Sequence, residues 1–248
     1  MLTQLRRATP RPLILACVLA LLAALFVVRF PDLPGASIGS YVSTFLIALP
    51  SMIALFGYLG PSRATLSLLA LSAFAYAIES LGVATGFPYG RFFYGDALGP
   101  KVAGLVPLLL PLSYAPLVIG ALAATWGGAS RPLHVAKATL LLVWMDAVLD
   151  PGATSLAFWV WPEGGAYFGV PPSNFAGWLL SGTLAATLLL TTGRWSRAPT
   201  PALLDSALIS TAFWTAVAAF SGLPIPALLG AALFTFLLAR RTLSRTMK

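Results

Sequence analysis

Residues 141–151 read LLVWMDAVLDP and end a run that is otherwise apolar enough to cross a bilayer. The two aspartates in this stretch, Asp146 and Asp150, are one helical turn apart, so both side chains lie on the same face of a helix. A carboxylate inside the hydrocarbon of a membrane costs at least about 2.5 kcal/mol by insertion scales. Two acids on one face of a membrane helix therefore indicate a site that handles protons.

Apolar segments dominate the whole chain. Of its 248 residues 58% are hydrophobic and only 9% are charged, whereas about a quarter of a soluble domain is charged. Runs of roughly 20 apolar residues, the length that spans a bilayer, predict about eight membrane helices, with seven as the alternative count. They are expected near residues 12–29, 38–59, 64–84, 102–125, 136–157, 174–192, 203–221 and 225–240. The predicted fold class is all-α, a polytopic transmembrane helical bundle that forms a single integral membrane domain without a soluble domain.

The basic residues predict the orientation of this bundle. A net charge of +8 would indicate nucleic acid binding in a soluble protein, but here the bases flank apolar segments, so we expect no nucleic-acid partner. With the N-terminus in the cytoplasm, 12 of the 15 Lys and Arg residues fall on the cytoplasmic side, in agreement with the positive-inside rule. The twelve are Arg6, Arg7, Arg11, Arg63, Arg131, Lys137, Arg194, Arg197, Arg240, Arg241, Arg245 and Lys248. Both termini are therefore predicted to be cytoplasmic, in the cell membrane of a bacterium or archaeon.

The acidic residues show the reverse bias. Only Asp205 is predicted on the cytoplasmic side. The other acids fall at the outer ends of helices or in outer loops: Asp32, Glu79, Asp96, Asp146, Asp150 and Glu163. Acidic residues contribute little to membrane topology, so insertion does not explain this clustering. It predicts a functional region near the outer leaflet.

Three of these acids are candidates for proton transfer. Burial in an apolar setting and a second acid nearby both favour the protonated form of a carboxylic acid, so Asp146 and Asp150 are suited to donate a proton. A structural pair capped by Ser, Asn or Arg partners is the alternative. Pro151 disfavours continuation of the helix at Asp150 and favours an interfacial position for that residue. Glu79 lies one turn after Tyr76 on the same helix face, near the outer end of its helix.

The two longest outer connections, 86–101 and 152–173, are rich in glycine, proline and aromatic residues. Such segments are tolerated at membrane depth only where protein covers them. The first is either an interfacial aromatic belt with Arg91 paired to Asp96, or a lid in which Arg91 orients a carboxylate. Aromatic faces in both segments are available to stabilise a cation. Further candidates for substrate contact are Tyr89, Tyr94, Trp159, Trp161 and, in the following helix, Asn174.

Several other chemistries are disfavoured. His134 is the only histidine and Cys17 the only cysteine, so we expect no metal or haem held by these residue types. No GxxxxGK[ST] or GxGxxG phosphate loop occurs. Asp146 and Asp150 form a DxxxD similar to the magnesium-diphosphate motif of membrane prenyltransferases, but a second aspartate-rich motif with bases around it is missing. We expect no cofactor.

Three stretches, in order, resemble one known family. They are TGFPYGRFFYGDALGPKVAGLVPLLLPLSY from Thr85, WMDAVLDP from Trp144 and WPEGGAYFGVPPSNFAGW from Trp161. They are similar to the membrane carotenoid biosynthesis proteins of the CruF type, which are carotenoid 1,2-hydratases and include the bisanhydrobacterioruberin hydratases. The resemblance covers most of residues 75–180. It implies a long polyene substrate with an acyclic ψ end group and the addition of water across its terminal 1,2 double bond.

The resemblance and the chemistry of hydration together assign expected roles. The general acid is expected to be Asp146, and its partner, proton relay or water-positioning base is expected among Glu79, Asp96 and Asp150. The end-group pocket is expected to contain Tyr76, Trp144, Trp159 and Trp161, with further substrate contacts from Tyr89, Arg91, Tyr94 and Asn174. The expected partners are a carotenoid, membrane lipid and other enzymes of the carotenoid pathway. An end-group cyclase or lipid prenyltransferase using the same acids, and a carotenoid-binding membrane protein without turnover, remain alternatives.

Overall fold

The computed structural model describes residues 10–31, 36–127 and 130–243. Within these ranges the chain forms eight α-helices. They are α1 (Arg11–Arg29), α2 (Ala36–Leu59), α3 (Pro61–Thr85), α4 (Leu110–Thr125), α5 (Arg131–Ser155), α6 (Pro172–Gly193), α7 (Asp205–Phe220) and α8 (Pro224–Leu243). Four of the bases used to predict the orientation lie outside the described residues: Arg6, Arg7, Arg245 and Lys248. Asp32, one of the acids predicted near the outer leaflet, also lies outside them.

Seven helices of the described ranges are long and apolar enough to cross a membrane, if α7 is counted with the 3₁₀ turn (Pro201–Leu204) that precedes it. The remaining helix, α4, has 16 residues. Because a bilayer requires about 20 residues of helix, α4 is the short element of the bundle. The prediction of an all-α integral membrane bundle is confirmed, and its orientation in the membrane stays a prediction.

The fourth helix begins later than predicted. The hydropathy pattern predicts it near 102–125, whereas α4 starts at Leu110. The preceding residues form an antiparallel hairpin of β2 (Lys101–Val102) and β3 (Val106–Pro107). At its turn Gly104 has a φ of 72°, which favours glycine, and Pro107 has no N–H for a helical hydrogen bond. Hydropathy alone does not distinguish such an apolar hairpin from a helix.

The helix that carries the two aspartates continues through Pro151. The proline favours a helix end at Asp150, whereas α5 extends to Ser155 and Asp150 is only 3% exposed. A helical proline removes the hydrogen bond to the carbonyl four residues earlier, which here belongs to Ala147. The hydroxyl of Tyr167 donates to that carbonyl at 3.0 Å and so replaces the missing backbone donor. The helix therefore does not end at Asp150, because a side chain from the following segment allows it to continue.

Helix α5 lies at the centre of the bundle, where it packs against α4, α6, α7 and α8. Around it, α3 packs on α6 and α1 packs on α7. Small residues let helices approach closely: a Cβ at Gly120 would lie 2.5 Å from that of Ala207, and one at Gly230 would lie 2.2 Å from Oγ1 of Thr215. Contacts of this kind are typical of helices that associate in membranes.

Two connecting segments cover the end of the bundle at which α3 and α5 end. The strand β1 (Phe93–Tyr94), after α3, pairs antiparallel with β4 (Trp159–Val160), after α5. The segments approach so closely that a Cβ at Gly95 would lie 2.3 Å from the carbonyl oxygen of Ala157. This pairing satisfies backbone groups of both segments and fixes Tyr94 opposite Trp159.

Candidate active site

A cavity of about 170 Å³ adjoins these paired segments and is lined by residues from them and from α1 to α7. Its polar wall contains Glu79 from α3, Asp150 from α5 and Asn174 from α6. These side chains are 6%, 3% and 2% exposed, respectively. Three helices that are far apart in sequence thus bring buried polar groups to one space.

The buried acids near the cavity lack a cationic partner. In the part of the chain that the structure describes, Asp96 and Asp205 form ion pairs, whereas Glu79, Asp146 and Asp150 do not. A buried charge without a partner is costly, and proteins seldom retain one without a function. This cluster is therefore the strongest candidate for a reactive site.

Asn174 joins the two aspartates of α5. Its side-chain nitrogen donates to Oδ2 of Asp146 at 2.9 Å and to Oδ2 of Asp150 at 2.5 Å. An amide nitrogen carries two hydrogens, so each carboxyl group receives one of them. The i, i+4 spacing on α5 and the position of Asn174 in the first turn of α6 together hold the two carboxyl groups side by side.

The two aspartates differ in their access to the cavity. Asp150 belongs to its lining, whereas Asp146 is completely buried and does not. The Oδ1 atom of Asp146 has no hydrogen-bond partner among the described residues. The leading sequence candidate for the general acid is thus separated from the cavity, and the aspartate one turn later reaches it.

Glu79 is positioned by a tyrosine of β1. The hydroxyl of Tyr94 donates to Oε2 of Glu79 at 2.8 Å. Burial raises the pKa of Tyr94 well above its ordinary value, and the charge of Glu79 raises that pKa further, so the phenol keeps its proton. Lys101 fixes the same tyrosine by donating to its backbone carbonyl at 2.6 Å. Glu79 is therefore held as a hydrogen-bond acceptor at the cavity wall.

Aromatic rings form much of the remaining wall. The rings of Trp159 and Tyr94 are 5.9 Å apart, and those of Tyr114 and Trp178 are 5.7 Å apart. Trp161 lines the same cavity. Aromatic faces stabilise a cation by about 0.5–2 kcal/mol each, so this wall is suited to a positively charged intermediate.

Besides Asp146, four predicted site residues lie outside the cavity lining. Asp96 is exposed and pairs with Lys101 at 2.9 Å, which replaces the expected alternative pairing with Arg91. Arg91 is itself exposed. The hydroxyl of Tyr76 donates to a backbone carbonyl before α4 at 2.6 Å, and the indole N–H of Trp144 donates to one in α8 at 3.2 Å. The structure does not bring these four side chains to the buried acids.

Seven predicted residues do line the cavity: Glu79, Tyr89, Tyr94, Asp150, Trp159, Trp161 and Asn174. The sequence analysis missed other lining residues, among them Tyr114, Trp178, Phe213 and Trp214. Single aromatic residues within apolar helices carry no signal that separates a cavity wall from ordinary packing. Trp178 is an exception, because it follows Asn174 by four residues and therefore shares its helix face.

These features define a class of protein: a helical integral membrane protein with a buried cavity of acids and aromatic rings at one end of the bundle. The chain belongs to the family described as carotenoid biosynthesis protein, which matches residues 38–237. The matched range contains every lining residue of the cavity except Val27.

A relative from Haloarcula japonica, named bisanhydrobacterioruberin hydratase, is 42% identical to this chain over 150 residues. The match covers 58% of this chain and 50% of the relative, so the chain spans half the length of the curated relative that it matches. No solved structure matches the chain.

Proposed function

We propose that the protein is a carotenoid 1,2-hydratase, which adds water across the terminal C1–C2 double bond of an acyclic carotenoid end group. One observation carries the proposal: Asp150 and Glu79, without a cationic partner among the described residues, share the wall of an aromatic cavity. Membership of the carotenoid biosynthesis family and the name of the Haloarcula relative support the substrate class.

Asp150 is the proposed proton donor. Two carboxyl groups that share one amide in an apolar interior cannot both ionise without a large desolvation cost, so the pair of Asp146 and Asp150 retains a proton. Asp150 lines the cavity and transfers this proton to C2 of the alkene. Asp146 lies outside the lining and is the second carboxyl group of the pair that holds the proton. General acid catalysis of this kind contributes about 10²- to 10⁴-fold to the rate.

The aromatic wall stabilises the product of that first step. Protonation at C2 leaves a tertiary cation at C1 and no other charged group on the substrate. Trp159, Trp161 and Tyr94, whose ring faces are negatively polarised, line the cavity that would hold this cation. The cation is then consumed when water adds to C1.

Glu79 is the proposed base. Water forms a bond to C1, and its surplus proton passes to Glu79, which Tyr94 holds as an acceptor. Glu79 and Asp150 line the same cavity, and the proton returns across it from Glu79 to Asp150 to complete the cycle. The net reaction consumes one water molecule and the double bond, and it restores both carboxyl groups.

The lining of the cavity suits a lipophilic substrate. Besides the acids, it includes Val27 of α1 and Ser43 and Ile47 of α2. The outer faces of these two helices carry exposed apolar side chains, such as those of Leu22 and Leu46, which suit contact with lipid. A polyene with its end group at the acids would leave the cavity between apolar helices and lipid.

The proposal is tested by expressing the protein in a cell that makes lycopene and measuring the mass of the extracted pigments. Asp150→Asn is expected to lower the yield of hydrated product by about 100-fold or more. Asp146→Asn is expected to lower it less, because Asp146 is not part of the lining. Glu163→Gln makes the same acid-to-amide change at an exposed position and is expected to match the wild type. Protein abundance in the membrane is measured for every variant.

The mass of the product separates the rival functions. A gain of one water per end indicates a hydratase, and a cyclised product of unchanged mass indicates a cyclase. A gain of an isoprenoid unit indicates a prenyltransferase, and pigment recovered unaltered indicates a binding protein. Undiminished hydration by the Asp150→Asn variant would exclude Asp150 as the proton donor.

A further inference from the structure

Two buried hydroxyl groups near Glu79 are left without a hydrogen bond. They are Oη of Tyr89 and Oγ of Ser181, which have no partner among the described residues although the side chains are 2% and 0% exposed. Six buried side-chain atoms of the described residues share this property, and Oδ1 of Asp146 is another one close to the cavity. Buried polar groups are nearly always paired with protein or with ordered water, so a group of three requires an explanation.

These atoms belong to one neighbourhood. The hydroxyl of Tyr89 lies close to the side chains of both Glu79 and Ser181, although it forms a hydrogen bond of regular geometry with neither. It also interacts with Asp146. Ser181 follows Asn174 by seven residues on α6, so the two lie on the same helix face. Tyr89 therefore adjoins the proposed base Glu79, and Ser181 adjoins Tyr89.

The ring of Tyr89 is fixed in place by two glycines. A Cβ at Gly82 would lie 2.9 Å from Cδ2 of the ring, and a Cβ at Gly177 would lie 2.4 Å from Cδ1. The ring thus fills a notch between α3 and α6. The backbone carbonyl of Tyr89 accepts hydrogen bonds from Trp161 at 3.1 Å and from Ser173 at 3.3 Å. The packing of the ring therefore fixes the position of its hydroxyl oxygen.

We propose that Tyr89, Ser181 and Glu79 bind a buried water molecule, and that this water is the one that adds to C1 of the substrate. A buried water makes roughly three hydrogen bonds to groups that are otherwise unsatisfied. Two hydroxyl groups, which donate and accept, and one carboxylate, which accepts, provide such a set. The inference rests on the proposed hydratase function and identifies the binding site of its second substrate.

The bound water determines whether the cation is hydrated or returns to the alkene. When it is present, its oxygen forms the bond to C1 and one of its protons passes to Glu79. When it is absent, the cation loses a proton from C2 and returns to the starting alkene. Removal of the Tyr89 hydroxyl therefore separates the protonation of the substrate from its hydration.

The experiment measures the incorporation of deuterium at C2 of the carotenoid. The whole chain, in membranes prepared in D₂O, is incubated with lycopene, and wild type is expected to yield hydrated product with deuterium at C2. Tyr89→Phe is expected to lower hydrated product by about tenfold or more, while the unhydrated carotenoid still acquires deuterium at C2. The control is Tyr58→Phe, which removes a buried hydroxyl bonded to the carbonyl of Arg197 at the opposite end of the bundle. It is expected to match the wild type.

Ser181→Ala is the second variant and is expected to give the same separation, whether or not Tyr89→Phe reaches the membrane. Unchanged hydration in both variants would overturn the inference. So would the loss of both hydration and deuterium exchange, which indicates a role in binding or protonation. An experimental structure that resolves water is expected to contain one within hydrogen-bond distance of Tyr89 and Ser181. If wild type neither hydrates the substrate nor exchanges deuterium into it, the proposed function itself fails.

Discussion

Asn174 donates both hydrogens of its side-chain amide to the carboxyl groups of Asp146 and Asp150. Hydrogen bonds to charged groups contribute about 1.5–3 kcal/mol each, so this one side chain has a large influence on how the two acids are held. It also sets the distance between them, since both bonds start from a single nitrogen atom. The asparagine is a positioning residue for Asp150, which is the acid that reaches the cavity.

Replacement of this asparagine by aspartate keeps the shape of the side chain and removes both donors. Asn174→Asp is expected to lower the yield of hydrated carotenoid by about tenfold or more, because a third buried acid repels the other two. Asn174→Gln retains the amide and is expected to preserve more activity. Both yields are measured per unit of protein in the membrane. If Asn174→Asp equals the wild type in this measurement, the amide does not position the acids.

The acids of the site are predictable from the sequence, whereas the identity of the aspartate that lines the cavity is not. Charged residues in apolar helices stand out in any hydropathy profile, which is why Glu79, Asp146 and Asp150 are all found by that route. The aspartate that lines the cavity is determined by the rotation of α5 about its axis and by the side chains that α6 presents. Neither the rotation of α5 nor its contacts with α6 can be derived from the residues near Asp150 in the sequence. Asp96 is also predicted as a site acid because it lies beside aromatic residues. In the structure it is exposed and pairs with Lys101.

At the scale of elements, the continuity of α5 through Pro151 depends on a side chain from another segment. The hydroxyl of Tyr167 donates to the carbonyl of Ala147, which the proline leaves without a backbone donor. The last turns of α5 carry Asp150, so this bond also maintains the helix on which the proposed acid stands. Local rules for proline favour a helix end here and cannot anticipate a donor that lies 16 residues later in the chain.

A double-mutant cycle tests this replacement of a backbone donor. Tyr167→Phe is expected to lower the free energy of unfolding by about 1–3 kcal/mol, because it leaves the carbonyl of Ala147 without a donor. Pro151→Ala restores the N–H that serves the same carbonyl. In the Pro151→Ala background, Tyr167→Phe is therefore expected to cost much less, and the difference is the coupling between the two sites. Unfolding of the purified protein in detergent provides the measurement. Equal costs in both backgrounds would show that the hydroxyl does not substitute for the backbone.

The number of helices is predictable because each long apolar run has to cross the membrane, but the structure of the connections is not. The segments after α3 and α5 are apolar and aromatic, so hydropathy extends α4 into the hairpin of β2 and β3. The pairing of β1 with β4 joins residues more than 60 positions apart, Tyr94 and Trp159. Such pairing depends on the arrangement of the whole bundle, and with it the position of Tyr94 beside Glu79.

At the scale of the whole molecule, the acids at the two ends of the bundle have different kinds of partner. At the end away from the cavity, Asp205 of α7 pairs with Arg241 of α8 through Nε at 2.6 Å. This pair compensates charge and joins two helices. At the other end, the acids are held by neutral donors, Asn174 and Tyr94. A neutral donor orients a carboxyl group without fixing its charge, which leaves it free to exchange a proton.

The extension of the cavity to α1 and α2 leads to a prediction about the length of the substrate. Ile47 lines the cavity, whereas its neighbour Leu46 is 57% exposed on the outer face of α2. Ile47→Trp is expected to fill the path of the polyene and to lower hydration of a full-length carotenoid roughly tenfold, equivalent to about 1.4 kcal/mol. For a short isoprenoid alkene with the same end group, which lacks the polyene chain, hydration is expected to change little. Leu46→Trp adds the same side chain on the lipid side and is expected to affect neither substrate. Equal losses for the long and the short substrate in Ile47→Trp would place the polyene elsewhere.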